Sequence, residues 1–297
     1  MLCVRKLDMD NTSEMTMPRI QDLSASLRNL RRPWPNQWPG LPLVFDRVCQ
    51  ELGLDNPRKG SAVHRLLGFG RAVCELVEQD GVKRHAQGQE PEYHNRLHIA
   101  DTLVCMTYLL KTSGALNVAG ARKPSVVAMA LCIMAGHDFL HPGGSNMHPG
   151  ELEARAVQDL QPLMVVAGLT LAERQSLKSC IMATDPAKVK GIHLQARTRP
   201  YDLRQTDCLS VLVIEADIMA STLPQTASSL TQSLSIEWAP HQPEAAEKLL
   251  LPQNRLLFLE HAALFSSPAA CRLGLNAVKL RQIRRIEHEL KNADRSR

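Results

Sequence analysis

Two short segments of this 297-residue chain carry histidine and aspartate side chains that are suited to binding divalent metal ions. The first segment holds His94 and His98, whose spacing of four residues would place both imidazoles on one face of a helix. Two ordinary surface histidines would explain that spacing equally well. The second segment holds His137, Asp138 and His141 at the end of a long apolar stretch. A buried imidazole and carboxylate need a partner there, and a divalent cation would serve both.

Two further segments contribute carboxylates. Asp217 lies within an apolar stretch, where an acid rarely lacks a partner, and a buried ion pair with an arginine is the alternative to metal binding. Asp185 precedes Pro186, and an Asp-Pro pair on its own is more simply interpreted as the end of a helix. The four segments together offer nitrogen and oxygen ligands without thiolate, which suits Zn, Fe, Mn or Mg. Asp138 can bridge two such ions, which would activate water and bind phosphoryl oxygens.

The spacing of apolar residues predicts that helices position these segments. Apolar residues recur every three or four positions from Leu41 onward, and Pro124 opens the apolar stretch that ends at Gly136. Residues 209–220 fit a buried strand or a helix, and the helical surroundings favour the helix. Neither alternating strands and helices nor a glycine-rich phosphate loop is evident. We therefore predict an all-α fold, with a compact multi-helix domain over residues 41–297 and a poorly structured, partly proline-rich segment over residues 1–40.

The composition limits the classes of protein that fit. A hydrophobic content of 44% supports a large core, and 22% charged residues is typical of globular proteins, which excludes collagen, coiled coil and general disorder. The apolar stretches are too short for a bilayer and the N-terminus lacks a secretory signal, so we expect a cytoplasmic protein without membrane association. Eight cysteines without a Cys-x-x-Cys pair favour reduced thiols. A net charge of +5 suits an anionic ligand, and the sequence is compatible with a homodimer.

The four segments occur in an order that resembles a known family. They read His-Asn-x-x-His (94–98), Gly-His-Asp-x-x-His-Pro-Gly-x-x-Asn (136–146), Thr-Asp (184–185) and Ala-Asp (216–217). This order resembles the catalytic domain of class I 3′,5′-cyclic nucleotide phosphodiesterases, all-helical members of the HD-domain metal phosphohydrolases. The resemblance implies a metal-dependent phosphoric diester hydrolase. Such an enzyme converts 3′,5′-cyclic nucleotides to 5′-monophosphates by a hydroxide that bridges two metals.

The resemblance also implies which residues bind the two divalent ions. A first, tighter ion, usually zinc in this family, would have four ligands: His98, His137, Asp138 and Asp217. Asp138 would in addition bridge to a second ion, usually magnesium or manganese. His141 would lie in the outer shell of this second, mostly hydrated ion.

Other matching residues are implied to act on the substrate or to support the site. His94 would be the general acid that protonates the leaving ribose oxygen. Asp185 would contact the water network around the metals. Tyr93 and Asn95 would support the site, with Tyr93 at the edge of the substrate.

The segments that would contact the base depart from the family pattern. Ala220 stands where the family has an asparagine that contacts the nucleotide. The glutamine that grips the purine edge corresponds to Arg255, unless a two-residue shift aligns Gln253, and Phe258 remains available to stack on a base. A guanidinium pairs with phosphate or carboxylate, so Arg255 would favour a more anionic ligand. The sequence therefore supports the metal site more strongly than the base site.

Three other functions are compatible with the same residues. The chain would be an HD-domain phosphohydrolase that acts on another nucleotide or phosphoester, or a nucleotide-binding protein without turnover. The presence of every metal ligand and of His94 speaks against loss of turnover. A basic stretch at residues 279–286 would suit nucleic acid, but a surface helix docked through its apolar residues is the favoured interpretation. We expect a small phosphoester, above all a cyclic nucleotide, as the partner.

Overall fold

Fourteen α-helices and a π-helical turn over Phe258–Ala262 make up the regular structure of residues 17–295, the part of the chain that this computed structural model describes. Within that range, the one β-type pairing is an isolated bridge between Ala119 and Asp202. The predicted all-α class is therefore confirmed. The helices are α1 (Ile20–Arg31), α2 (Leu41–Glu51), α3 (Ala62–Ala86), α4 (Arg96–Ala115), α5 (Pro124–Gly136), α6 (Glu151–Val166), α7 (Leu171–Ile181), α8 (Pro186–Ala196), α9 (Thr206–Thr222), α10 (Pro224–Trp238), α11 (Pro243–Leu249), α12 (Pro252–Leu257), α13 (Pro268–Leu273) and α14 (Leu275–Arg295).

Helices α4, α5 and α9 form the centre of the domain and pack against one another. Every residue from Val127 to Gly136 on α5 is buried, and so is every residue from Asp207 to Ala216 on α9. A helix that is apolar on all sides is stable only when other elements cover all of its sides. Residues 209–220 therefore form a helix that neighbouring elements cover except at the half-buried Asp217 and Ile218, and the helix is the alternative that the sequence favoured.

Two motif residues begin helices rather than lying inside or after them. Asn95 caps α4, where its Oδ1 accepts the backbone N–H groups of Leu97 at 3.0 Å and His98 at 3.1 Å. His94 therefore precedes the helix, and the interpretation of one shared helical face is wrong. Asp185 caps α8, with Pro186 at its first position, so the pair starts a helix and the helix-stop interpretation is also wrong.

Part of the N-terminal segment is more ordered than the sequence predicts. Residues 20–31 form α1, whose Leu23 and Leu27 are fully buried in the core. Arg31 also pairs with the buried Asp101 of α4. The expectation of little structure is wrong for this helix, because the prolines at positions 33, 35 and 39 follow it instead of interrupting it. Residues 1–16 lie outside the described part of the chain.

The described helices and cysteines bear on membrane association and on the redox state of the thiols. None of the helices between residues 17 and 295 combines the length and the apolar character that crossing a bilayer requires. The described cysteines are all unpaired, and six of these seven are buried. Burial raises the pKa of the Cys49 thiol to about 12, with a smaller contribution from the charge of Asp46, so that thiol stays protonated.

Candidate metal centre

The four predicted metal ligands converge where the three central helices meet. His98 comes from the first turn of α4, His137 and Asp138 follow α5, and Asp217 projects from α9. His98 Nε2 lies 3.3 Å from His137 Nε2, 3.1 Å from Asp138 Oδ2 and 3.2 Å from Asp217 Oδ1. His137 Nε2 lies 3.1 Å from Asp138 Oδ2 and 3.5 Å from Asp217 Oδ1. These five distances bring both carboxylates to the two imidazoles, and the ligand atoms of His98, His137 and Asp217 all lie within 4.8 Å of one another.

The hydrogen bonding of His137 leaves one ring nitrogen free to bind a cation. Its Nδ1 donates to the Met134 carbonyl at 2.8 Å, which assigns the proton to Nδ1 and leaves a lone pair on Nε2. That nitrogen faces the Nε2 atom of His98 and two carboxylates. Two imidazole nitrogens and two carboxylate oxygens are ligands that Zn²⁺ accepts in a four-coordinate site. The residues therefore fit a divalent cation.

The charges of the cluster also favour a cation. Burial, the largest influence, lowers the pKa of His98, but the hydrogen bonds and charges of Asp138 and Asp217 outweigh it and raise that pKa to about 9. For Asp217, burial acts to raise the pKa, and the hydrogen bonds from His137 and His98 outweigh it and lower the pKa below its usual range. Two ionised carboxylates at a buried point require compensating positive charge, which protonated imidazoles or a divalent ion would supply.

Further carboxylates lie beside Asp138. Glu153 on α6 is 9% exposed and Asp185 is 2% exposed. Burial raises the pKa of Glu153, and the charges of Asp185 and Asp138 add to this effect. The buried Oδ2 of Asp185 accepts no hydrogen bond from any described residue, although the Lys188 ammonium lies 3.4 Å away. This excess of oxygen ligands fits a second, harder cation next to the first.

His94 and Glu237 form a short hydrogen-bonded pair next to the cluster. Glu237 Oε1 lies 2.5 Å from His94 Nδ1. The carboxylate also accepts the backbone N–H groups of Tyr93 at 2.8 Å, His94 at 2.9 Å and Gly144 at 3.0 Å. Burial acts to raise the pKa of Glu237, but the hydrogen bonds outweigh it and lower that pKa to about 2. The carboxylate therefore holds the Nδ1 side of the ring, and Nε2 forms no hydrogen bond with a described residue.

Glu237, which lies 143 residues after His94, belongs to none of the sequence motifs. Its signal in the sequence is weak. Leu230, Leu234 and Glu237 share one face of α10 by their spacing, so a carboxylate interrupts an otherwise apolar face. Such an acid predicts a buried partner but does not say which residue that partner is.

His141 stacks on His94, with ring centroids 3.9 Å apart and an interplanar angle of 24°. Its Nδ1 accepts the backbone N–H of Gly143 at 3.1 Å. Burial and then the charge of His94 lower the pKa of His141 to about 3, so the ring is neutral and carries its proton on Nε2. Ligand-capable atoms of His94, His141 and Glu237 lie within 4.8 Å of one another. Because Glu237 already accepts four hydrogen bonds, its carboxylate has few lone pairs left for a metal ion.

An apolar cavity of about 100 Å³ adjoins the cluster of predicted metal ligands, and Tyr93 lies between the cavity and the cluster. The Tyr93 ring centroid lies 4.9 Å from that of His98, and its hydroxyl shares a 2.9 Å hydrogen bond with Ser221. Phe258 lines the cavity, as the resemblance predicts for a stacking ring. Gln253 is exposed on α12 and does not line this cavity, whereas the amide of Asn254 does.

Arg255 lines the same cavity, but the protein itself occupies much of its guanidinium. The group donates to the carbonyls of Ser221 at 2.8 Å and Thr222 at 3.4 Å, and to Gln282 Oε1 at 3.0 Å. Burial lowers the pKa of Arg255 to about 10, which leaves it charged at neutral pH. Its charge thus lies at the C-terminal end of α9, where a cation is favourable. This arrangement gives Arg255 a structural role that the sequence did not predict.

Comparisons with known proteins support the fold. No protein-family model matches the chain, and no curated protein matches it. Among solved structures, the chain is similar to the Leishmania phosphodiesterase LmjPDEB1, solved in complex with IBMX, with a TM-score of 0.60 and 13% sequence identity. The match covers 96% of this chain and 97% of that chain. The chain therefore has the all-helical fold of a phosphodiesterase catalytic domain over almost its whole length.

Proposed function

We propose that the chain is a metal-dependent phosphodiesterase that hydrolyses 3′,5′-cyclic nucleotides to 5′-monophosphates. The observation that carries the proposal is the cluster of His98, His137, Asp138 and Asp217 next to the hydrogen-bonded His94. A set of metal ligands beside a proton donor is the combination that cleavage of a phosphoester bond requires. The shared fold with a solved phosphodiesterase supports the same function.

The cluster would hold two divalent ions. His98, His137, Asp138 and Asp217 would bind the first, and their mixed nitrogen and oxygen donors favour zinc. Asp138, with Glu153 and Asp185 nearby, would bind the second, and oxygen donors favour magnesium or manganese. When bound, the ions stabilise the negative charge on the phosphoryl oxygens and lower the pKa of water.

His94 would donate a proton to the ribose oxygen that leaves phosphorus. Its ring centroid lies 5.7 Å from that of His98, so the donor stands at the edge of the metal cluster. Glu237 fixes the ring through Nδ1, and Nε2 then faces the substrate. The ribose alkoxide is a poor leaving group, so a positioned acid contributes about 10²–10⁴-fold to the rate.

Hydrolysis of cyclic AMP and cyclic GMP, with added Mn²⁺ or Mg²⁺, tests the proposal. We expect formation of the 5′-monophosphate that a chelator abolishes. His94→Ala should retain bound metal and lose about 10²–10⁴-fold in rate. His148→Ala, which removes an exposed histidine, is the matched control and should leave the rate unchanged. A metal-loaded chain that turns over neither cyclic nucleotide would contradict the proposal.

The base pocket favours a second candidate, hydrolysis of another phosphoester at the same metal centre. Ala220 carries no amide, Gln253 is exposed, and Arg255 is hydrogen-bonded to α9. Asn254 is the one carboxamide that lines the cavity among the described residues. If a cyclic nucleotide is the substrate, Asn254→Ala should raise its KM, and Gln253→Ala should not. An unchanged KM in both variants, with faster turnover of another phosphoester, would favour the second candidate.

A further inference from the structure

A groove of about 420 Å³ lies between α1, α14 and the junction of α9 with α10. Its walls carry three arginines, Arg28 from α1 and Arg281 and Arg285 from α14. The described residues that line it include no carboxylate. The groove is therefore concave, open to solvent and lined by positive charge from two helices. Its volume falls in the range of small-molecule sites.

Two of these guanidiniums have no acidic partner in the described part of the chain. Arg28 and Arg281 form neither an ion pair nor a side-chain hydrogen bond with any residue from 17 to 295. Arg285 pairs with Glu289 at 3.4 Å, and both side chains are more than half exposed, so solvent weakens that interaction. Most of the positive charge of the groove is therefore available to a ligand.

The start of α10 adds to this charge. Pro224 and Gln225 form the first turn of the helix and line the groove. The residue before the helix, Leu223, has no side chain that could cap the first N–H groups. An uncapped N-terminus of a 15-residue helix favours an anion at this position. It acts together with the three arginines on a single concave surface.

The floor of the groove is rigid. Gln282 is 8% exposed, and its Nε2 donates to the Thr222 carbonyl at 2.7 Å. Its Oε1 accepts the Arg255 guanidinium at 3.0 Å. Both ends of this side chain are therefore committed to the protein. Arg28 and Arg281, in contrast, are exposed side chains without an ion pair to a described residue, so their guanidiniums can contact a ligand.

We propose that this groove binds a small molecule that carries two or more negative charges on phosphate. Guanidinium groups match the geometry of phosphate oxygens and pair with them through two parallel hydrogen bonds. A concave pocket with arginines from two helices favours a compact polyanion. An extended stripe along one helix would instead suit a nucleic acid. The site uses none of the residues assigned above to metal binding or proton transfer.

Calorimetric titration of the full chain with inorganic pyrophosphate, near physiological ionic strength, tests the site. Arg281→Gln removes one wall of the groove. Arg284→Gln makes the same change on the same helix at an exposed position outside the groove. We expect saturable binding that Arg281→Gln weakens about tenfold or more, since a charged hydrogen bond is lost. Arg284→Gln should weaken it by less than about twofold.

The same proteins separate this site from the metal centre. Their metal content and their turnover of phosphoesters should equal those of the wild type, because the two arginines lie outside that centre. Absence of saturable pyrophosphate binding would overturn the proposal, and so would equal weakening by the two substitutions. Binding of a DNA duplex that depends on Arg281, without binding of pyrophosphate, would also overturn it.

Discussion

Replacing Glu237 by glutamine tests the pairing that positions His94. The substitution keeps the size of the side chain but removes its charge, and its NH₂ group cannot accept the backbone N–H groups that the carboxylate now binds. The hydrogen bonds of Glu237 outweigh its burial and lower its pKa from an ordinary 4.5 to about 2. That difference corresponds to about 3 kcal/mol. If the whole of it supports proton donation, Glu237→Gln should slow turnover on the order of 10²-fold.

Steady-state kinetics on two substrates is the assay. A cyclic nucleotide has a ribose leaving group that needs a proton, whereas bis(p-nitrophenyl) phosphate releases a nitrophenolate that does not. We expect the large loss on the cyclic nucleotide and less than about a tenfold loss on the nitrophenyl ester. Glu92→Gln, a neutralised exposed acid beside Tyr93, is the matched control and should change neither rate.

Two results would refute the reasoning. An equal loss on both substrates would mean that Glu237 supports the metal centre or the fold rather than the proton donor. An unchanged rate on the cyclic nucleotide would mean that His94 does not depend on Glu237. Elemental analysis of each variant shows whether metal was retained, which separates these outcomes from a damaged metal site.

Three further predictions concern the metal and the stability of the chain. Asp138→Asn should remove bound metal and activity together, and loss of activity at full metal content would contradict its bridging role. Burial raises the pKa of Glu215 to about 7, above its ordinary 4.5. The contribution of protonated Glu215 to the free energy of unfolding is therefore full below pH 4.5, and about 3 kcal/mol of it is lost as the pH rises through 7. Denaturant melts of Glu215→Gln at the same pH values should not show this loss. Gly81→Ala would place a Cβ against the buried Arg96 and should lower stability by about 1–3 kcal/mol in thermal melts, whereas Gly191→Ala meets no neighbour and should not.

The sequence predicted the cluster of His98, His137, Asp138 and Asp217 because the chemical signal of such residues is local. An imidazole and a carboxylate at the end of an apolar stretch can be recognised without knowing the fold, and His137 and Asp138 lie where that signal indicates. The position of the His94–His98 pair was not predictable from spacing alone. A histidine four residues before another fits a continuous helix, and it fits equally well a turn followed by a capped helix. Only the role of Asn95 as a cap distinguishes the two.

The hydrogen-bonded pair of His94 and Glu237 could not be predicted, because it depends on how distant elements pack. Glu237 reaches His94 only when α10 packs beside the turn that precedes α4. The role of Arg255 has the same origin, since its partners are carbonyls at the end of another helix. The chain shares its fold with the solved phosphodiesterase at 13% sequence identity. The arrangement of the helices is therefore similar in the two proteins although few of their residues are identical.

The position of the proposed metal ligands on α4, α9 and the end of α5 has a consequence for folding. The ligands are far apart in the chain, so a bound ion would close two long loops and offset the loss of chain entropy that their closure requires. Since the unfolded chain cannot present the four ligands together, the ion binds the native state in preference and stabilises it by mass action. The melting temperature of this protein should therefore rise with the concentration of free metal, and thermal melts become a measure of metal affinity that needs no substrate.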